Sequence, residues 1–152
     1  MNSNDLKLNQ IQVIGSHNSY RIHPVQDMFN LMTGLNPELA AELDYGHPSF
    51  DVQFSQHGIR QIEIDVYHDP EGGLFYNQRG NLFIGLPVPS GIEELLDPGL
   101  KVLHFPDIDY RTHYLTFIDA LIAVKTWSMD TNPQHQNHKT LNHQFGMFKV
   151  LY

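Results

Sequence analysis

Apolar residues run along this chain in two rhythms. Over residues 60–69, RQIEIDVYHD, Ile62, Ile64 and Val66 alternate with Gln61, Glu63, Asp65 and Tyr67, which is the period of a strand with one face on a core. A shorter apolar run empties into a glycine and predicts a strand over Ile11–Gly15. KVLHFPDID (101–109) predicts a third strand that runs into an acidic loop. The other rhythm is helical. PELAAELD (37–44) reads as a short helix with Asn36 as N-cap and Pro37 at its first position. PSFDVQFSQHG (48–58) opens on the same proline signal and closes on Gly58 in a C-capping role. Residues 113–127 suit an amphipathic helix with Leu115, Ile118, Leu121, Ile122 and Trp127 on its apolar side. Between these, EGG (71–73) marks a turn and GLFYNQRGNLFIGLPV (73–88) an irregular hairpin.

Strands and helices therefore alternate, and no internal repeat is visible. That order predicts an α/β fold with parallel strands and crossover helices. A closed (β/α)8 barrel takes at least ~200 residues. A chain of 152 residues with three firm strands is too short for one and is expected to be part of one.

Composition narrows the partners. Seventeen acidic residues against nine basic ones give a net charge of −8, which argues against nucleic acid or an anionic membrane as a partner held by bulk charge. With no cysteine, disulfides, CxxC redox chemistry and thiolate zinc sites are excluded. No run approaches the ~18 apolar residues of a spanning helix, and MNSNDLKLNQ has no apolar signal core. The sequence reads as soluble and untargeted, and it assigns no compartment.

The polar residues that matter stand where strands end or alternate. Glu63 and Asp65 lie two apart on a strand, so both carboxylates point to one face. Read alone, such a pair more often decorates a solvated sheet face. If the face is covered, the two charges repel, and a hard cation with oxygen ligands relieves that repulsion. His17-Asn18, in VIGSHNSY, follows the first strand, and ligands of parallel α/β folds bind beyond the carboxyl ends of strands. Asparagine offers a neutral oxygen to a metal, and histidine is the usual acid or base near neutral pH. His104 ends the third strand. Asp107 and Asp109 after it read as turn or cap residues ahead of metal ligands. Together, two histidines, an amide and two carboxylates make a kit for phosphodiester cleavage.

SHNSY, then YGHPSFDVQFSQHGIRQIEIDVYHDPEGG, then GLKVLHFPDIDYRTHYLTFIDALIAVKTWS closely resemble the calcium-dependent phosphoinositide phospholipase C-like family of bacteria and fungi. The resemblance runs from about Ile11 to His135. It implies the N-terminal portion of a TIM-type barrel, in which a ring hydroxyl attacks the phosphate of a phosphoinositide and diacylglycerol leaves. It further implies that His17 and His104 are the catalytic histidines, His104 acting as general acid. Asn18, Glu63 and Asp65 match calcium ligands. The implied partner is a phosphoinositide or related phosphodiester lipid met in transient contact with a membrane surface. Family members are often exported.

After WSMDTNPQH the pattern departs. Residues 136–152 read as a divergent tail behind a domain spanning 1–135, and no Asp or Glu follows Asp130. His135, His138 and His143 read as part of a solvated tail rather than a metal cluster. One expected carboxylate ligand, the second half of the barrel and the headgroup-selecting residues are missing, as in a truncated or frame-shifted reading frame. That leaves open an inactive chain. Two alternatives stand behind the main reading. One is a glycerophosphodiester phosphodiesterase-like enzyme, whose usual HRG-type opening is absent here. The other is a non-catalytic barrel remnant.

Overall fold

A computed structural model describes residues 12–131 without a break, together with Lys7, Gln10 and the strand 147–151. The described region is a mixed α/β domain built around one long strand. The chain order is β1 (Gly15–Ser16), α1 (Gln26–Leu35), α2 (Pro37–Glu42), α3 (Phe50–Ser55), β2 (Gln61–Asp69), β3 (Gly99–Val102), α4 (Phe117–Thr131) and β4 (Met147–Leu151). Two 3-10 helices, Arg79–Ile84 and Glu93–Leu96, interrupt the segment between β2 and β3.

The long strand β2 pairs with every other strand. β1 runs parallel to it, Gly15 opposite Gln61 and Ser16 opposite Ile62, and β4 pairs parallel with Gln61–Asp65. The close approach at the start of β1 needs Gly15, where a Cβ would come within 3.0 Å of the Gln61 Cβ. β3 pairs with the second half of β2, Val66 opposite Val102 and Asp69 opposite Gly99, and it runs antiparallel. This corrects the expectation of parallel strands throughout. A parallel return needs a crossover of helical length, whereas the chain between β2 and β3 folds into turns and brings β3 back alongside. Asp69 starts that return by accepting from the Gly72 and Leu74 backbone N–H groups at 3.0 and 3.2 Å. The expected hairpin over 73–88 holds the six-residue 3-10 helix Arg79–Ile84 and is closed by a single Asn77–Pro89 bridge.

The core lies where the alternation of β2 put it. Ile62, Ile64 and Val66 are buried with Tyr20, Phe50, Phe54, Val102, Ala120, Val124 and Trp127. Each large apolar side chain so buried stabilises the fold by about 1.5–3 kcal/mol. α3 and α4 cover this face through Phe54 against Trp127, ring centroids 5.0 Å apart, and the segment leading into α4 adds Tyr114 against Phe50 at 4.3 Å. The face that α4 buries matches the expected one at Trp127 and differs from it at the other positions within the helix. Ala120, Val124 and Trp127 turn inward, while Ile118, Leu121, Ile122 and Met129 are exposed. Small Ala120 and Val124 allow close approach to the sheet, which bulkier neighbours would prevent. A second cluster of Met28, Met32, Ala40 and Leu43 joins α1 to α2. α2 carries the expected cap, Asn36 Oδ1 accepting from the Leu39 N–H at 3.1 Å. The histidines at 135, 138 and 143 lie outside the described residues.

Candidate functional site

Glu63, Asp65 and Tyr67 alternate along β2 and reach three successive parts of the site. Glu63 meets the loop after β1. Its Oε2 accepts from His17 Nδ1 in a close contact and from the Asn18 backbone N–H at 3.4 Å. The loop is tied to the strand by its backbone as well, Ser19 N–H donating to Glu63 O at 3.0 Å and Glu63 N–H donating to Ser19 Oγ at 2.9 Å. Ser19 Oγ in turn donates to Ser16 O at 2.9 Å. Gln53 of α3 closes this cradle, giving its amide protons to Ser19 O and Pro48 O, both at 2.7 Å. Asn18 adopts the left-handed region with φ 48°, which asparagine tolerates better than most residues. The twist turns the His17 side chain outward, 69% exposed, while Asn18 stays buried.

The next alternate position is Asp65. Its Oδ2 accepts from Tyr20 OH at 2.9 Å. Burial, then the Asp65 carboxylate, push the Tyr20 hydroxyl far above the ordinary tyrosine range, so it remains a donor. Tyr67 follows, its hydroxyl also pushed up, by burial first and then by Asp65. It donates to His104 O at 2.7 Å. One strand face thereby touches His17, Tyr20 and the backbone of His104, which lies two residues past the end of β3 and not at its last position as expected.

His104 is held on a second side. The chain from Phe105 to Asp109 is a tight turn with reciprocal backbone bonds of 3.1 and 2.9 Å. The turn returns Asp109 beneath the imidazole, and His104 Nδ1 donates to Asp109 Oδ2 at 2.8 Å. Arg21 Nε donates to the same oxygen at 2.5 Å, and both side chains of that ion pair are fully buried. The sequence suggested a turn or cap residue at Asp109; instead its carboxylate serves Arg21 and His104. Asp107 ties the turn to the start of the 3-10 helix Arg79–Ile84, its Oδ1 accepting from the Arg79 N–H at 2.8 Å.

The structure thus brings His17, Asn18 and Glu63 into direct contact, joins Asp65 through Tyr20, and joins His104 through Tyr67 and the Asp109–Arg21 pair. Sequence reasoning passed over Arg21, Tyr45 and the role of Asp109. Arg21 stacks over the Tyr45 ring at 4.3 Å, and Tyr45 OH accepts from Asn18 Nδ2 at 2.9 Å. An arginine and an aspartate 88 residues apart carry no local signal of pairing. Nor does Tyr45, whose place is set by the chain packing at Gly46, where a Cβ would come within 2.6 Å of the His23 backbone nitrogen.

The oxygens are of the kind that a hard cation takes. Asn18 Oδ1 and Asp65 Oδ1 are buried and accept no hydrogen bond. With the amide turned by its Tyr45 bond, Asn18 keeps a neutral oxygen unused, and Asp65 keeps one oxygen of an acid whose other oxygen Tyr20 occupies. Such orphaned acceptors are costly unless something meets them. Beside the Glu63 carboxylate they are chemically suited to calcium or magnesium. Among the described residues no group of three or more His, Cys, Asp or Glu gathers at one point to hold a metal ion.

Comparison with known proteins agrees in one respect. No curated protein and no solved structure matches the chain. The profile of one family, described as phosphoinositide phospholipase C, Ca2+-dependent, matches residues 6–142. That span takes in the loop of His17 and Asn18, the Glu63–Asp65 strand, and the His104–Asp109 turn. The chain belongs to the Ca2+-dependent phosphoinositide phospholipase C family.

Proposed function

We propose that this protein is a calcium-dependent phosphodiesterase that cleaves phosphoinositides in the phospholipase C manner, on the N-terminal portion of a TIM-type barrel. The observation that carries the reading is the Glu63 contact with His17 and with the Asn18 backbone, which joins a candidate acid–base group to candidate ligands on a lipase-family chain. Asn18, Glu63 and Asp65 would hold the calcium through oxygen. Bound there, calcium would offset charge on the phosphate and lower the pKa of the attacking ring hydroxyl.

The chain's own residues do the rest. His17, anchored through Nδ1 on Glu63, presents an exposed ring to the phosphodiester. His104 has Nδ1 committed to Asp109, so in the doubly protonated ring Nε2 is the atom left to give a proton to the departing glycerol oxygen as its bond to phosphorus breaks. The products are an inositol phosphate and diacylglycerol. Substrate of this kind is met at a membrane surface. No helix among the described residues is long and apolar enough to cross one.

The test is inositol phosphate release from phosphoinositide vesicles with calcium or with chelator present. Release that requires calcium and disappears in His17→Ala and His104→Ala is the expected result. Release of glycerol 3-phosphate instead, or turnover that survives both substitutions, would overturn the proposal.

A further inference from the structure

The His104 imidazole rests on a carboxylate that is itself clamped. Asp109 Oδ2 receives His104 Nδ1 at 2.8 Å and Arg21 Nε at 2.5 Å. Arg21 is fixed in turn by donating to Leu43 O at 2.8 Å, by donating to Tyr45 O, and by stacking over the Tyr45 ring. Arg21 and Asp109 are fully buried, so neither side chain can meet a substrate. A buried ion pair of this kind is weak as a source of stability, because desolvation offsets much of the attraction. Its geometry has a consequence at His104. A carboxylate accepts and never donates when ionised, so the nitrogen facing Asp109 must carry a proton, and the neutral ring is held as the Nδ1–H tautomer with Nε2 bare. The bond from Tyr67 OH to His104 O fixes the backbone below the ring. At the other end, Tyr45 OH receives Asn18 Nδ2, so a single chain of contacts runs from His104 through Asp109, Arg21 and Tyr45 to Asn18.

We infer that Asp109, clamped by Arg21, is a positioning residue that sets the tautomer and orientation of His104 and registers it against the Asn18 loop. The inference rests on the catalytic reading of His104 given above. Asp109 lies five residues after His104 and reaches it only because the Phe105–Asp109 turn doubles back.

The experiment is a long-range proton–nitrogen NMR spectrum of the full chain labelled with 15N-histidine, recorded at about pH 8, above the ordinary imidazole range. His104 is assigned by its loss in His104→Gln. The expected spectrum has the proton on Nδ1 of His104 and none on Nε2. A proton on Nε2, or the averaged pattern of a ring exchanging tautomers, would overturn the inference. In Asp109→Asn the Nδ1–H preference is expected to vanish, and kcat for headgroup release to fall on the order of 100-fold with KM little changed. Asp109→Glu, which keeps a carboxylate, is expected to recover part of both. An Asp109→Asn protein that keeps the tautomer and kcat would sink the idea. The tautomer is read without turnover, so a wild-type chain with no phosphodiesterase activity would count against the catalytic reading alone, and the spectrum would still decide the positioning claim.

Discussion

Two of the histidine–carboxylate pairs among the described residues belong to the candidate site, and they are built in opposite ways. His17 lies on Glu63 with its ring 69% exposed, and His104 lies on Asp109 with its side chain 15% exposed. Glu63 is a strand residue bonded to the loop it serves, beside two buried oxygens that accept nothing. Asp109 is a turn residue whose charge an arginine already meets. The first carboxylate is suited to share its oxygen chemistry with a cation. The second has one oxygen taken by both Arg21 and His104 and its other, Oδ1, buried without a hydrogen bond, and it is suited to orient its histidine. On the proposed reading, two acids in similar contact with imidazole divide the work, because the environment of each decides what else it can bind.

The sharpest way to break this comparison is to remove each ring. His17→Ala and His104→Ala are each expected to lower inositol phosphate release by on the order of 100- to 10,000-fold, the range of a lost general acid or base. A variant that lost nothing would show that its pair is structural. Arg21→Met separates the two pairs through stability. It leaves the Asp109 carboxylate buried without its cation, which costs about 3–5 kcal/mol, and the urea midpoint should fall accordingly. An unchanged midpoint would mean that water reaches Asp109.

Calcium provides the third comparison. Saturation at about 100 times Kd is expected to stabilise the chain by about 2.7 kcal/mol, raising the melting temperature. Asp65→Asn should abolish that rise, whereas Asp109→Asn should retain it. A rise that survives Asp65→Asn would place the ion elsewhere. On the Glu63 side, Ser19→Ala removes the acceptor of the Glu63 N–H and should cost about 1–3 kcal/mol, read as a shift in urea midpoint.

The smallest effect is one of pH. Tyr20, Tyr67 and Tyr114 all hold their protons more tightly when folded, burial being the first cause in each. A group whose folded pKa is raised contributes stability that is complete below its unfolded value, about 10 for tyrosine, and that is lost as pH rises toward the folded value. The urea midpoint is therefore expected to decline above about pH 10, and a midpoint that rose there would contradict the burial of these hydroxyls.

Much of the candidate site was legible along the chain. A period of two put Glu63 and Asp65 on one face, a glycine–serine turn offered His17 and Asn18, and the order of motifs pointed to the family. The helix α1 was not legible. Its N-cap is Val25, without a capping side chain, and its inward residues are two methionines that settle against α2. The buried face of α4 was misjudged for a related reason: counting apolar residues favoured Ile118, Leu121 and Ile122, while closeness to the sheet selected Ala120 and Val124.

By itself the sequence determined β2, its buried apolar face, its pair of carboxylates, and the residue types that flank it. Those features are local, since they depend on alternation, turn chemistry and caps within a few residues. Only the tertiary structure decided that β3 returns antiparallel, that Asp109 folds under His104, and that Arg21 joins the turn from 88 positions away. Such pairings cost desolvation and chain entropy that no local preference supplies, so they form where the packed core brings their partners together.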